Sequence, residues 1–230
     1  MKLPHYRRGA KETASAGDFL PKRRSLATLR AAARCCKGCD LYKNASQTVF
    51  GEGPKNAQVV LVGEQPGDIE DRQGRPFAGP AGRILDKALA EARLRREEVY
   101  ITNAVKHFKF IQRGKRRMHQ KPLIRQVISC HPWLQAELAI IRPKMVVCLG
   151  ATAAQSILKR GVRVTKERGK FFDGHSGATV FVTIHPSAIY RRRGEDERRE
   201  QYRQFVADLK LVYRRLHSTE EHFSRRSLPL

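Results

Sequence analysis

Three groups of residues in this sequence could do chemistry. The first stands where apolar runs end. Glu64 and Gln65 lie in Gly63-Glu-Gln-Pro-Gly67, directly after Val59-Val-Leu-Val62. Asn103 follows Val99-Tyr-Ile-Thr102, and His185 opens His185-Pro-Ser187 after Thr179-Val-Phe-Val-Thr183. An amide can hold a planar polar ligand by its edge, and an imidazole or carboxylate can stabilise charge as a bond breaks. The second group is cysteine. Cys36-Lys-Gly-Cys39 is a C-x-x-C pair, with Cys130 and Cys148 beside or within apolar segments. Four thiolates suit tetrahedral zinc or an iron–sulfur cluster. Cys130 and Cys148 read equally well as small core residues. Cys35 is one residue too far from Cys39 for the same spacing. The third group is Lys115-Arg-Arg-Met-His119, inside a stretch, residues 106–125, with eight Lys or Arg and no acidic residue. Such a stretch is suited to lie along phosphates. A histidine at its end can act as a nucleophile only when neutral, and the surrounding cations are expected to favour that form.

The elements that must position these groups alternate. Val59–Val62, Val99–Thr102, Met145–Leu149 and Thr179–Thr183 read as strands, the apolar runs among them as strands buried on both faces. Helices are expected over 26–34, 80–93, 123–141, 151–159 and 195–216, with Pro80 in a first turn. The fold class is therefore α/β: a three-layer α/β/α sandwich around a central four-stranded parallel sheet. Ligands of such sheets sit beyond the carboxyl ends of the strands, which gathers Glu64, Gln65, Asn103 and His185 at one rim. Residues 1–25 read as a basic mobile arm, 26–216 as the folded domain and 217–230 as a frayed tail.

The chain has 230 residues, of which 40% are hydrophobic, enough for a core. Its 46 Lys and Arg against 22 Asp and Glu give a formal charge of +24, which points to a polyanionic partner and first to nucleic acid. No apolar run approaches the ~20 residues needed to span a bilayer, and the basic N-terminus lacks an apolar signal core. An intracellular, nucleoid-associated location and a monomer are expected, with the cysteines reduced or metal-bound.

Several longer stretches agree with one another. CKGCDLY at 36–42, VFGEGP at 49–54, GEQPG at 63–67, GRPFAGPAGRILDKAL at 74–89, TNAVKHFKF at 102–110, CLGATAAQ at 148–155 and HPS at 185–187 resemble the uracil-DNA glycosylase superfamily, its iron–sulfur, type 4-like branch. GEQPG, together with KRRMH at 115–119 inserted after TNAVKHFKF, resembles the UdgX type within it. Met118 replaces the Ile more usual in that loop, an apolar exchange of similar size. The resemblance implies a structural 4Fe–4S cluster held by Cys36, Cys39, Cys130 and Cys148. It implies a uracil pocket that includes Gly63, with Phe77 stacking on the base, Asn103 reading its edge and His185 donating to the oxygen that gains charge. It implies that Glu64 and Gln65 face the sugar, that Lys115, Arg116, Arg117 and Ser187 contact DNA, and that His119 bonds to the sugar carbon once uracil leaves. The partner implied is uracil-containing DNA, single-stranded DNA favoured.

The residue types leave other readings at each position. Phe77 could anchor its loop, Asn103 could cap a helix, His185-Pro186 could be a plain turn and Glu64 could be merely solvated. His107 could touch DNA, His131 could pack beside Cys130, and His175 suggests no role. For the whole chain the alternatives are an ordinary turnover glycosylase, a non-catalytic modified-base-binding protein, and a basic RNA-binding protein with a zinc site.

Overall fold

The structure is a computed structural model that describes residues 15–174 and 177–224. Seven strands are present among the described residues: β1 Val59–Gly63, β2 Tyr100–Asn103, β3 Phe110–Arg113, β4 Arg116–His119, β5 Met145–Leu149, β6 Phe171–Asp173 and β7 Thr179–Thr183. The helices are α1 Leu26–Ala33, α2 Asp68–Gln73, α3 Pro80–Glu91, α4 Ile124–Ile141, α5 Ala151–Leu158, α6 Val164–Glu167, α7 Pro186–Tyr190 and α8 Glu195–Ser224.

The main sheet runs β2-β1-β5-β7-β6. Its first four strands are the four expected from sequence, and all pair in parallel. The expected four-stranded parallel sheet is corrected at one edge. β6 adds a fifth strand, antiparallel to β7, which makes the sheet mixed. Its three residues give no period to detect, and as the edge strand they pair on one side alone, Phe171 with Phe181, Phe172 with Val180 and Asp173 with Thr179. β3 and β4, expected only as a basic stretch, form a separate antiparallel hairpin with Phe110 opposite His119.

Strand alternation sends side chains to both faces. Leu61, Val147 and Phe181 pack with Leu85 and Leu89 of α3 and Phe205 and Leu209 of α8. Val60, Val62, Val146, Cys148 and Val180 pack with Leu134 and Ile141 of α4 and Ala153 of α5. These are the two helical layers. A third cluster, holding Leu29, Ala33, Cys36, Leu41, Cys130 and Trp133, lies outside the sheet between α1 and α4.

The N-terminal boundary also shifts. Residues 16–19, expected in a mobile arm, form a 3-10 helix capped by Ser15, and Ala16 is buried. A Cβ on Gly38 would collide with the backbone of Ala16, so glycine in the C-x-x-C loop is what lets this segment lie over it. Residues 1–14 of the expected arm, His175, and residues 225–230 of the expected tail fall outside the described residues. The helix expected to end at 216 runs on to Ser224.

Candidate active site

The carboxyl ends of β1, β2, β5 and β7 open into a cleft of about 340 Å³. Glu64, Gln65, Phe77, Asn103, His119, His185 and Ser187 all line it, so the rim gathers every site residue read from the strand ends. Gly63 lies behind two of its walls. A Cβ there would strike Asn103 Oδ1 and the Phe77 ring, so only glycine lets the amide and the ring converge.

Phe77 is buried and adopts a left-handed backbone, φ 56°, a costly conformation for an aromatic residue. Its ring stacks on His185 with centroids 5.6 Å apart and planes at 28°. Neighbouring structure holds the strain in place. A Cβ on Gly82 would run into the Phe77 carbonyl, so α3 can pass this close only through glycine. Glu70 ties the two loops together, accepting from Gly67 N at 3.0 Å and Gly79 N at 2.8 Å. Its capping position in GEQPGDIE was visible in the sequence, but the second loop it reaches was not.

Asn103 is buried, and its Oδ1 has no hydrogen-bond partner. A buried acceptor left empty is costly unless a ligand fills it. His185 Nδ1 accepts from Ser187 N at 3.1 Å, which puts the ring proton on Nε2. Burial, with Arg191 and His119 adding, pushes this imidazole down to about 4. His185 is thus a neutral donor at pH 7. Ser187 serves it directly: its Oγ lies 2.8 Å from Nδ1 and accepts from Arg191 Nη2 at 3.0 Å. Arg191 and Tyr190 also line the cleft, and sequence reasoning missed both. The run Tyr190-Arg-Arg-Arg193 was their only signal.

His119 reaches the rim on the end of β4. Its Nε2 lies 3.5 Å from Glu64 Oε1. Glu64 Oε2 accepts from Thr152 at the start of α5, a partner not foreseen. The imidazole is held below its usual value, as expected, but the cause differs. Burial is the largest contribution and Arg191 the contributing cation, not the neighbouring Lys115 and Arg116.

Two further residues of the expected set are also engaged within the protein. Arg117, expected on phosphates, has only 11% of its side chain exposed. Its guanidinium is bound by Asp68, by Asp71 at 2.7 Å and by Ser46 at 3.1 Å, and lies over the Phe108 and Phe110 rings. Gln65 uses its amide on the hairpin stem, donating to Lys109 O and Gln120 O and accepting from Lys109 N. Both residues anchor the hairpin that carries His119. Lys115 and Arg116 remain exposed at its tip.

The cysteines divide. Cys36, Cys39 and Cys130 come together in the cluster between α1 and α4, and each raises or feels the others' charge. Trp133 Nε1 donates to Cys36 Sγ and Lys106 N to Cys130 Sγ, both at 3.2 Å. Such donors stabilise thiolates in a sulfur-ligated centre. Cys148, the fourth ligand implied by the resemblance, is placed elsewhere. It sits on β5 against Leu134 and Ala153, and burial alone raises its thiol. Strand alternation puts it in the sheet core beside Val146, a setting that suits a small apolar residue. Among the described residues no three His, Cys, Asp or Glu side chains converge on a single-ion site. A multi-iron cluster takes one ligand at each iron, so its ligands stand farther apart than those of a single ion.

Comparison with known proteins decides the family: a model described as the Uracil DNA glycosylase superfamily matches residues 50–210. The chain belongs to the uracil-DNA glycosylase superfamily. It is 39% identical over 165 residues to a type-4 uracil-DNA glycosylase of Thermotoga maritima, covering 71% of this chain and 82% of that one. It is 36% identical over 174 residues to another from Archaeoglobus fulgidus, covering 73% and 82%. A type-5 uracil-DNA glycosylase of Pyrobaculum aerophilum is 32% identical over 154 residues, covering 60% and 64%. In this superfamily member the match spans β1, β2, β5 and β7 and the cleft at their ends. No helix among the described residues is long and apolar enough to cross a membrane.

Proposed function

We propose that this superfamily member is a base-excision repair enzyme that removes uracil from DNA, favouring single strands, and captures the resulting sugar through His119. The observation that carries the capture is the position of His119 on the hairpin, at the rim and 3.5 Å from Glu64. Uracil must first leave the base stack and enter the cleft. Phe77 then offers a flat face, Asn103 Oδ1 accepts the N3–H, and His185 Nε2–H donates to O2. The C1′–N1 bond breaks with its electron pair passing to uracil, whose charge His185 stabilises. A lone pair of neutral His119 then forms an N–C1′ bond, and the imidazole proton passes to Glu64. Lys115 and Arg116 would meet the backbone phosphates.

The three gathered cysteines fit a structural 4Fe–4S cluster, and we assign His107 as the fourth ligand in place of Cys148. His107 is buried and follows Lys106, whose amide touches Cys130. Thr48 Oγ1 gives its own hydrogen to Ala33 O at 2.7 Å, so it must accept from His107 Nε2–H at 2.9 Å. That leaves a lone pair on Nδ1. Burial pushes the ring down to about 4, so it is neutral and able to ligate. A bound cluster would brace α1 against α4 and carries none of the steps above.

The test is a denaturing gel with uracil- and thymine-containing oligonucleotides. Wild type should give a uracil-dependent complex that survives boiling in detergent, and His119→Ser should not. Uracil release with turnover and no adduct would retain the ordinary glycosylase and discard capture. Tight binding with the glycosidic bond intact would leave a base-binding protein.

A further inference from the structure

Beneath the cleft, Lys106 and Glu137 form an ion pair in which neither side chain has any exposed surface. Lys106 Nζ lies 2.5 Å from Glu137 Oε2, 2.5 Å from Thr102 Oγ1 and 2.9 Å from the carbonyl oxygen of Asn103. All three ammonium hydrogens therefore have acceptors. Glu137 in turn accepts from Tyr100 Oη at 2.9 Å, Thr102 Oγ1 at 3.0 Å and Gly51 N at 3.1 Å. The end of β2 is thus tied, residue by residue, to one carboxylate–ammonium pair. Stability alone does not explain such a pair, since burying two ions costs several kcal/mol each and apolar residues of similar volume often serve as well.

The pair's reach identifies its use. Asn103 presents an Oδ1 with no partner of its own, so that atom has no hydrogen bond to fix its aim. Its main chain is held by the Lys106 ammonium on one side and by pairing with Gly63 on the other. Lys106 is itself fixed, with its N–H on Cys130 Sγ at 3.2 Å and its carbonyl accepting from Val49 N at 2.8 Å. We propose that Lys106, held by Glu137, is a positioning residue for base recognition: it sets where the Asn103 amide meets the edge of uracil. This rests on the uracil reading of the cleft given above.

The decisive measurement is the free-uracil concentration that halves single-turnover excision, alongside affinity for DNA carrying an abasic site. Lys106→Met alone would strand a buried carboxylate, so the variant is Lys106→Met/Glu137→Leu, checked for folding by circular dichroism. Free uracil should inhibit it about tenfold more weakly, while abasic-DNA affinity stays within about twofold. Thr102→Val removes one ammonium acceptor without stranding a charge and should weaken uracil inhibition about threefold. It decides the matter if the double variant does not fold. Wild-type uracil inhibition in a folded variant overturns the proposal, as does an equal loss of uracil and abasic-DNA affinity, which marks a merely structural role. Asn103→Ala is the control: if it leaves uracil inhibition unchanged, the uracil reading of Asn103 has failed rather than the tether.

Discussion

His119 and His185 act in the proposed chemistry only as neutral rings, and the cleft holds both below the ordinary histidine value. Capture should therefore fall only on the acid side of the ordinary histidine value of about 6.5, as His119 takes a proton. A pH profile of the adduct-forming rate checks this, and a rate that rose with acid would contradict it. Stability follows the same sign. His185 titrates near 4 in the folded chain and near 6.5 when unfolded, so the unfolded chain binds more protons in between. Its contribution is present above about 6.5 and is lost as pH falls toward 4, which urea titrations at several pH values would measure. Asn103→Asp presents a carboxylate where uracil needs both donor and acceptor. Excision of uracil should drop about 100-fold or more, measured as kcat/KM, because the buried edge is left mismatched.

At the level of elements, the hairpin β3–β4 is a carrier for one side chain. Arg117 fastens it to α2 through Asp68 and Asp71, and the Asp71 side chain has no exposed surface. Arg117→Ala should leave that carboxylate unpaired, costing about 3 kcal/mol of stability in a denaturant titration. Adduct formation should slow more than uracil release, since only capture needs His119 at the rim. β5 offers a contrasting case. Cys148→Ala should keep the brown absorbance near ~400 nm expected of a cluster and lose about 1 kcal/mol from a small cavity. Cys36→Ser should abolish the absorbance. Loss of colour in Cys148→Ala would restore that cysteine as a ligand.

For the whole molecule, a formal charge of +24 means that phosphate neutralisation should dominate binding. The logarithm of affinity for single-stranded DNA should fall linearly with that of salt, and Lys115→Ala and Arg116→Ala should each shallow the slope by about 0.7. Arg117→Ala should leave the slope nearly unchanged, because its charge is already taken up by two carboxylates.

What the sequence determined by itself was whatever local pattern encodes. Four apolar runs gave the parallel strands, and the rule for strand ends brought Glu64, Asn103 and His185 to one rim. β6 was illegible because three residues at a sheet edge carry no period. The KRRMH motif showed that the histidine was chemically interesting but not that it was held there by Arg117 and Gln65, whose partners lie 44 to 71 residues away. Only tertiary packing bears on the proposed exchange of Cys148 for His107. Strand alternation sends Cys148 into the sheet core, and His107, which as sequence suggested only a contact with DNA, is buried next to Lys106, whose amide touches Cys130. The same packing created the Lys106–Glu137 pair, since ions far apart in the chain can reveal a shared burial only once the helix between α1 and the sheet is in place.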